Sequence, residues 1–469
     1  MKMFWPQVRP LAAPESAAAG EVVLRGVTVV NPGRERREQC RVVVRDGRIA
    51  AVEPDPQAAA PESGAFLLPG LIDMHIHLPP GSPFELSGYV TLLYLLHGIT
   101  TVRDCGDADG TAVTAIREGA AKGDFPALRV FACGPFIGGG QPRWVNSVVL
   151  GGPENAEPVV ARLKAEGFDF VKAYEDLTLP EIRALVAAAD RHGMPLIGHV
   201  PTQLAYEEAL LPSVQHFLGV PRPKHLRRDH VVERMSGWDA VDDARLDEIV
   251  AVTLEHGISN TPTLVVGQQL LWYADYHQAI EDPIVRLMPR LYREGMWHPT
   301  KGLAVYRRQF TPENLARLRV AQEKKKHLLL RLYEAGALLE VGTDTSQPFV
   351  VPGASLHQEI KLFCDAGVPL EAVWRIATAH AGEALRQPQL GRIEVGAPAD
   401  LALFRQDPTR DLAALGSLEM VITAGLPYRR SDLESAAAAY RRRYENPLLA
   451  RASLAIVRSR LKRVVRRDY

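Results

Sequence analysis

The segment PGLIDMHIHL, residues 69–78, decides the fold and supplies the first candidate ligands. After the Pro-Gly pair, an apolar run ends on His75 and His77. Side chains of a strand alternate between its two faces, so this i, i+2 spacing points both imidazoles to the same face. An unpaired polar group is costly to bury in an apolar strand, which makes the pair a candidate for chemistry.

Seven further apolar runs follow this one, and helix-like patterns separate them. The eight runs are AFLLPGLIDMHIHL, GITTVRDCG, ALRVFACGPFI, FDFVKAY, MPLIGHV, SVQHFLGV, GISNTPTLVV and ALLEVGTDTS, with helical patterns at 111–122, 154–166, 180–192, 203–210, 243–256 and 311–336. Eight strand–helix units predict an α/β fold, a (β/α)₈ TIM barrel, over residues 69–388. A doubly wound open sheet is the alternative, but no glycine-rich phosphate loop follows the first strand.

Both ends of the barrel segment are flanked by strand-rich sequence. Residues 21–68 contain alternating apolar runs around Asp46-Gly47, a strong hairpin signal. Residues 389–430 contain two more strand patterns, ADLALFRQ and MVITAGLPYRR. We expect the two segments to pair into one small β-sandwich domain.

The last segment, 431–469, predicts a basic helical tail. From Arg429 to Tyr469 there are twelve Lys or Arg and four Asp or Glu, a net charge of 12 − 4 = +8. Apolar residues recur at helical spacing with arginines opposite, at Leu454, Val457, Leu461, Val464 and Val465. Docking of this apolar stripe on its own domain is favoured, and binding to an anionic membrane or a partner stays open.

The amino-acid composition of the chain restricts the classes of protein to which it can belong. Of 469 residues, 46% are hydrophobic and 23% charged, which is typical of a globular enzyme-sized chain. Lys plus Arg and Asp plus Glu both number 55, so no global charge argues for nucleic acid. The four cysteines are far apart, the N-terminal residues lack a signal-peptide core, and no apolar run is long enough for a transmembrane helix. We expect a cytoplasmic protein with reduced thiols, and a homo-oligomer is possible on this evidence.

Ionisable residues recur at the carboxyl ends of the predicted strands. A lone histidine in an apolar run is more often a hydrogen-bonded core residue, but six such residues at matched positions argue for one site on the catalytic rim of the barrel. They are His75, His77, Lys172, His199, His216 and Asp344. Imidazole and carboxylate ligands suit divalent metals, with Zn²⁺ the leading candidate, and the lack of a cysteine ligand favours a catalytic site over a structural one.

Over residues 21 to 430 the chain resembles the metal-dependent amidohydrolase superfamily, and within it the imidazolonepropionase-like branch with Xaa-Pro dipeptidases and prolidase-like carboxypeptidases. The motifs that carry the resemblance are PGLIDMHIHL, HGITTVRDCG, VKAY, IGHVPT, QHFLG, TPTL, GTDTSQPFVVPGASLHQEI and TAHAGEALRQPQLGRIEVGAPADLALF.

The resemblance implies a role for each candidate ligand. His75 and His77 would bind the more buried of two divalent ions together with Asp344. His199 and His216 would bind the second. Lys172 would be carboxylated and bridge the pair, and Asp344 would also take a proton from the bridging hydroxide and pass it to the leaving amine.

Substrate contacts follow less directly. Relatives often carry Gly-Gly-His after the third strand, whereas this chain has Gly139-Gly140-Gln141, so Gln141 is the candidate at that place. Tyr174 of VKAY is a second candidate. The aromatic-rich excursion 265–310 adds Trp272 and Trp297, as a lid over the metal rim or as a surface helical pair or dimer contact.

The function expected from these residues is hydrolysis of an amide bond in a dipeptide, N-acyl amino acid or similar small amide by a binuclear metal site. A cyclic-amide hydrolase or deaminase of the same superfamily is the alternative. A non-catalytic barrel used as a scaffold is the alternative of another class, and the complete ligand set argues against it.

Overall fold

The computed structural model describes residues 11, 20–56, 59–81, 84–107, 109–142, 144–226 and 237–464. Two sequence predictions fall at least partly outside this range. They concern the N-terminal residues and the end of the tail, where Val465 lies outside the range and the side chains of Leu461 and Val464 are not described.

Strands occur in three groups along the chain. They are β1 (Glu21–Val29), β2 (Arg37–Arg45), β3 (Arg48–Pro54), β4 (Phe66–Pro69), β5 (Leu71–Ile76), β6 (Ile99–Asp104), β7 (Arg129–Ala132), β8 (Phe136–Gly138), β9 (Ser147–Val149), β10 (Val171–Ala173), β11 (Leu196–Gly198), β12 (Ser213–Gln215), β13 (Ser259–Thr261), β14 (Leu401–Phe404), β15 (Leu418–Thr423) and β16 (Leu426–Arg429).

Helices fill most of the intervals between barrel strands. They are α1 (Ser87–Leu96), α2 (Ala112–Ala121), α3 (Ala156–Ala165), α4 (Leu179–Arg191), α5 (Tyr206–Ala209), α6 (Asp243–His256), α7 (Leu264–Leu270), α8 (Tyr276–Ala279), α9 (Pro312–Glu334), α10 (Ala354–Asp365), α11 (Leu370–Arg375), α12 (Ala381–Ala384), α13 (Arg430–Glu445) and α14 (Pro447–Val464). Within the described part of the chain, none of these helices has both the length and the apolar content needed to cross a membrane.

The central strands confirm the predicted barrel. β5, β6 and β7 pair in parallel, and β10 to β13 form a second parallel run. An eighth segment, residues 338–345, closes the ring by isolated bridges, from Leu339 to Asn260 on one side and from Thr345 to Ile76 on the other. The carboxyl ends of these strands therefore meet at one rim, as the sequence predicts.

The strands from both ends of the chain form one sheet, confirming the predicted small domain outside the barrel. Its order is β16-β15-β14-β4-β1-β2-β3, so the C-terminal strands join the N-terminal ones through β4. Asp46 and Gly47 have φ of 50° and 73°, the conformation of the predicted hairpin turn. The turn between β2 and β3 contacts the turn between β15 and β16. A Cβ added to Gly425 would lie only 2.6 Å from the Gly47 Cα. The exact boundaries of the domains stay predictions.

The C-terminal helices pack back on the barrel. On α13, the ring of Tyr444 packs at a tilt against that of Tyr89 of α1, with ring centroids 5.6 Å apart. On α14, Leu454 and Val457 are each 7% exposed. They face Gly295, where an added Cβ would lie 3.2 Å from Leu454 Cδ2 and 3.4 Å from Val457 Cγ1. The described part of the apolar stripe, at Leu454 and Val457, thus docks on the chain itself.

The docked stripe predicts a stability difference between two leucines of α14. Leu454→Ala removes buried methyl groups and should lower the free energy of unfolding by about 2 kcal/mol. Leu448 is 76% exposed on the same helix, so Leu448→Ala should change it by less than about 0.5 kcal/mol. Chemical denaturation of both variants measures the difference, and equal effects would show that the stripe does not contribute to the fold.

Candidate metal centre and cavity

The six predicted ligands all lie at the carboxyl ends of barrel strands. His75 is the fifth residue of β5, and His77 follows its end. Lys172 lies in β10, and His199 and His216 come directly after β11 and β12. Asp344 lies in the closing segment beside β5, where its N–H donates to the His75 carbonyl oxygen.

The first group consists of His75, His77 and Asp344. One ligand atom from each lies within 4.8 Å of the other two. Asp344 Oδ1 is 3.1 Å from His77 Nε2 and 3.6 Å from His75 Nε2. Two imidazole nitrogens and a carboxylate oxygen therefore converge on a common point, a donor set that suits a borderline divalent cation.

The second group continues directly from the first. The ring of His216 lies 4.7 Å from that of His75 and 4.9 Å from that of His199, measured between centroids. His216 Nε2 is 3.9 Å from Asp344 Oδ2, the carboxylate oxygen that does not face His77. Asp344 thus lies between the two histidine pairs, with one oxygen toward each.

Lys172 is fully buried below these groups. Its side chain is 0% exposed, and within the described residues its Nζ has no hydrogen-bond partner. Burial lowers the pKa of Lys172, and the charge of Lys172 in turn contributes to lowering the pKa of His75. Burial of an amine is costly unless a ligand satisfies it.

Three of the site histidines are oriented through their other ring nitrogens. His75 Nδ1 lies 2.6 Å from Gln215 Oε1, and His77 Nδ1 lies 2.7 Å from the Gly106 carbonyl oxygen. His216 Nδ1 is 2.6 Å from Thr263 Oγ1. Such contacts fix the tautomer and leave Nε2 free to act as a ligand. Sequence reasoning assigned no role to Gln215 or Thr263, although both lie inside motifs it singled out, QHFLG and TPTL.

Burial determines the charge state of the groups. It holds the pKa of His75 and of His216 well below the ordinary value, with help from neighbouring positive charge. Burial alone would raise the pKa of Asp344, but His216 and the contact with His77 outweigh it, so the pKa of this carboxyl is lowered. Burial would lower the pKa of His77 as well, but its contact with Asp344 outweighs burial and raises that pKa. The neutral imidazoles of His75 and His216 and the ionised carboxylate of Asp344 are in the protonation states that metal binding needs.

Three of these residues occupy an unusual backbone conformation. His216, Thr263 and Asp344 have φ of 63°, 47° and 58°, in the left-handed region that non-glycine residues rarely adopt. Strain of this kind persists where surrounding contacts impose it, and it clusters at functional sites.

The residues present fit a pair of divalent metal ions. His75 Nε2 and Lys172 Nζ are buried without a hydrogen-bond partner in the described structure, and both belong to the predicted ligand set. The remaining donors are imidazoles and a carboxylate with lowered pKa. His75, His77 and Asp344 would hold one ion, His199 and His216 the other, and Lys172 would lie between them. The metal, and the carboxylation of Lys172, stay predictions.

A cavity of about 200 Å³ opens above the histidines. Tyr174 lines it, with its ring 4.7 Å from that of His199. The excursion after β13 supplies part of the wall through Tyr292, Met296 and Tyr306, which supports the lid interpretation of 265–310.

The other three candidate substrate contacts lie elsewhere. Trp297 is fully buried in the interior of the lid, 5.7 Å from the rings of both Tyr292 and Phe349. Trp272 packs near Phe349 and does not line the cavity. Gln141 is exposed and borders a smaller neighbouring cavity beside Tyr174. The rings that face the cavity from the lid are tyrosines, and Trp297 packs behind one of them, Tyr292.

Comparison with known protein families shows which family has this arrangement of residues. The model of the family described as amidohydrolase family matches residues 66–426. An allantoinase of Deinococcus radiodurans is 26% identical over 418 residues, which cover 82% of this chain and 86% of the relative. An adenine deaminase of the same organism is 38% identical over 89 residues, 18% of this chain, and the match spans only 16% of the deaminase.

Solved structures share the whole architecture. Bottromycin amidohydrolase superposes with a TM-score of 0.70 at 25% identity over 91% of each chain. A Xaa-Pro dipeptidase with methionine bound in its active site gives a TM-score of 0.62 at 19% identity, over 87% of this chain and 100% of the dipeptidase. The second likeness shows the fold.

The contact between Gln215 and His75 gives a test of the metal centre that does not require a substrate. Gln215→Leu should weaken metal affinity about 10- to 100-fold, because the His75 ring loses the partner that orients it. Gln203 donates to the Leu177 carbonyl oxygen away from the ligand set, so Gln203→Leu should leave affinity unchanged. Competition with a chelator measures both, and equal affinities would exclude the orienting role.

Proposed function

We propose that this chain, which belongs to the amidohydrolase family, is a metal-dependent hydrolase that cleaves the C–N bond of a linear amide in a small molecule such as a dipeptide or N-acyl amino acid. The convergence of four histidines and Asp344 on one rim, with Lys172 buried between them, carries the proposal. The family match and the hydrolase relatives support action on carbon–nitrogen bonds.

Lys172 is the residue that favours two metal ions over one. As an ammonium it would repel any cation bound by the adjacent histidines. Its burial without a hydrogen-bond partner, together with its lowered pKa, favours the neutral amine. A neutral amine can add carbon dioxide and become an anion with two oxygens. A mononuclear deaminase would have no use for a lysine at this position.

The metal ions, Asp344 and the tyrosines of the cavity would have separate parts in the proposed reaction. Two bound divalent ions would polarise the scissile carbonyl and make a water with a pKa near 7 available. Asp344 would accept the proton of the attacking water and return it to the leaving amine, and its location between His77 and His216 supports this role. Tyr174 and the tyrosines of the lid would position the substrate over this carboxylate.

A substrate panel tests the reaction class. Dipeptides and N-acyl amino acids should release a new primary amine, whereas a cyclic amide and an aminopurine should be poor substrates. Asp344→Asn should lower kcat about 10²- to 10⁴-fold, as expected for loss of a general base. Asp365→Asn, on an exposed carboxylate paired with Lys361, is the control. Ammonia release without a new amino acid would favour a deaminase instead.

Substitution of Lys172 tests the binuclear site. Lys172→Ala should reduce metal content below two per chain and remove most activity, and a short carboxylic acid should restore part of it by replacing the bridge. Lys172→Arg should also fail, because guanidinium stays charged. Lys164, exposed on α3, provides the control Lys164→Ala. Full activity with one metal per chain, or in Lys172→Ala without added acid, would contradict the proposal.

A further inference from the structure

A second buried lysine lies at the cavity and has no part in the proposed reaction. Lys325 of α9 is 4% exposed and lines the cavity. Among the described residues, no hydrogen bond or salt bridge reaches its ammonium group, which lies over the face of Trp238, 5.6 Å from Nζ to the ring centroid. Among the described residues of the cavity wall, it is the only lysine or arginine.

Neighbours on α9 anchor this part of the helix. Gln322 donates to the Leu264 carbonyl oxygen at 2.7 Å, which ties the helix to the segment after β13. Lys324 donates to the carbonyl oxygens of Asp239 and Val241, at 3.0 and 2.6 Å, and so holds Trp238 in place. Lys325 is therefore fixed between two anchored neighbours and points into the cavity.

The nearest acidic group does not neutralise Lys325. Glu359 accepts hydrogen bonds from the backbone N–H groups of Leu264 and Val265, at 2.9 and 2.6 Å. Burial lowers the pKa of Lys325 to about 8, and Glu359 acts in the opposite direction, so the ammonium is the main form at pH 7. A buried cation without an anionic partner is costly, and a bound anion would relieve that cost.

The ammonium group of Lys325 and the predicted metal ligands belong to the same cavity. Lys325 is among the groups that lower the pKa of His216, after burial and the nearby charges of the site. The same wall contains Glu175 and the predicted ligands His77, His199, His216 and Asp344, and its other side chains are mostly apolar, with Tyr292 and Tyr306 of the lid among them. A ligand that satisfies both features has an apolar or aromatic body and a carboxylate close to the scissile bond.

We propose that Lys325 binds a carboxylate of the substrate and thereby makes the enzyme select amides that carry a free carboxylate beside the cleaved bond. This inference rests on the proposed function, because it assigns the substrate class of the same site. Lys325 would act on binding and specificity, and it would take no part in proton transfer.

Ligand binding to the metal-loaded protein gives the first test. The probes are 3-phenylpropanoate and 3-phenylpropanamide, which differ only in the charge of one group. Calorimetry on the wild type should show a preference for the carboxylate, and Lys325→Met should reduce that preference at least tenfold. Any carboxylate affinity for the metal ions is common to both proteins and cancels in the comparison.

Lys326→Met is the matched control, since Lys326 is the next residue and pairs with Glu323 at 2.9 Å away from the cavity. It should keep the wild-type preference. Lys325→Gln replaces Lys325→Met if the latter does not fold, as judged by thermal unfolding. An unchanged preference in the Lys325 variant, or no preference in the wild type, would overturn the inference.

Kinetics separate this inference from the proposed function. N-acetyl-L-phenylalanine and N-acetyl-L-phenylalaninamide are compared with wild type and Lys325→Met, and the ratio of their kcat/KM values should fall at least tenfold in the variant, mainly through KM. If neither is cleaved but the binding preference moves as expected, the proposed function fails and the anion site stands. If linear amides are cleaved with no change in the ratio, the anion site fails and the function stands.

Discussion

The closure of the barrel between its first and last strand segments is the constraint on which the rest of the site depends. Asp73 accepts hydrogen bonds from the N–H and the hydroxyl of Thr343, at 3.0 and 2.7 Å, inside the barrel. The carbonyl oxygen of His75 accepts from Thr343 and Asp344, and the His77 N–H donates to the Thr345 carbonyl oxygen. Two histidines and a carboxylate distant in sequence are thereby brought to one point.

Several energetically unfavourable features of the fold lie in this same region. A buried lysine without a hydrogen-bond partner, histidines kept neutral by burial, and left-handed backbone at His216 and Asp344 all lie within one layer of the barrel. Below that layer, Arg103 and Glu340 form a buried ion pair at 2.6 Å, which Thr261 also joins through a hydrogen bond to Glu340. The lower part of the barrel is thus internally paired, and the upper part has polar groups left over for a ligand.

Periodicity made the barrel and its ligands predictable from sequence. Strand–helix alternation located the carboxyl ends of the strands, and polar residues in apolar runs are conspicuous there. The helix predicted at 243–256 begins and ends as α6 does. The β5 pair His75 and His77 could be assigned to one face from spacing alone.

The cavity wall was harder to predict because it lacks such a pattern. The lid consists of short helical turns, one of them the π-helix Leu291–Met296, so spacing did not reveal which rings face inward. Trp297 is in the lid interior, and Tyr292, five residues earlier, faces the cavity. Lys325 was missed for a related reason, since it is the middle one of three consecutive lysines, a run that normally indicates a solvated helix face.

The contact of α14 with Gly295 has a consequence for how this enzyme can diversify. The lid residue that faces the tail has little room for a side chain, because Leu454 and Val457 already fill the space. The shape of the cavity wall therefore depends on the side chains of α14, the last helix of the chain. A change of lid sequence in a descendant requires a compensating change more than 150 positions away, so the two segments should vary as a pair.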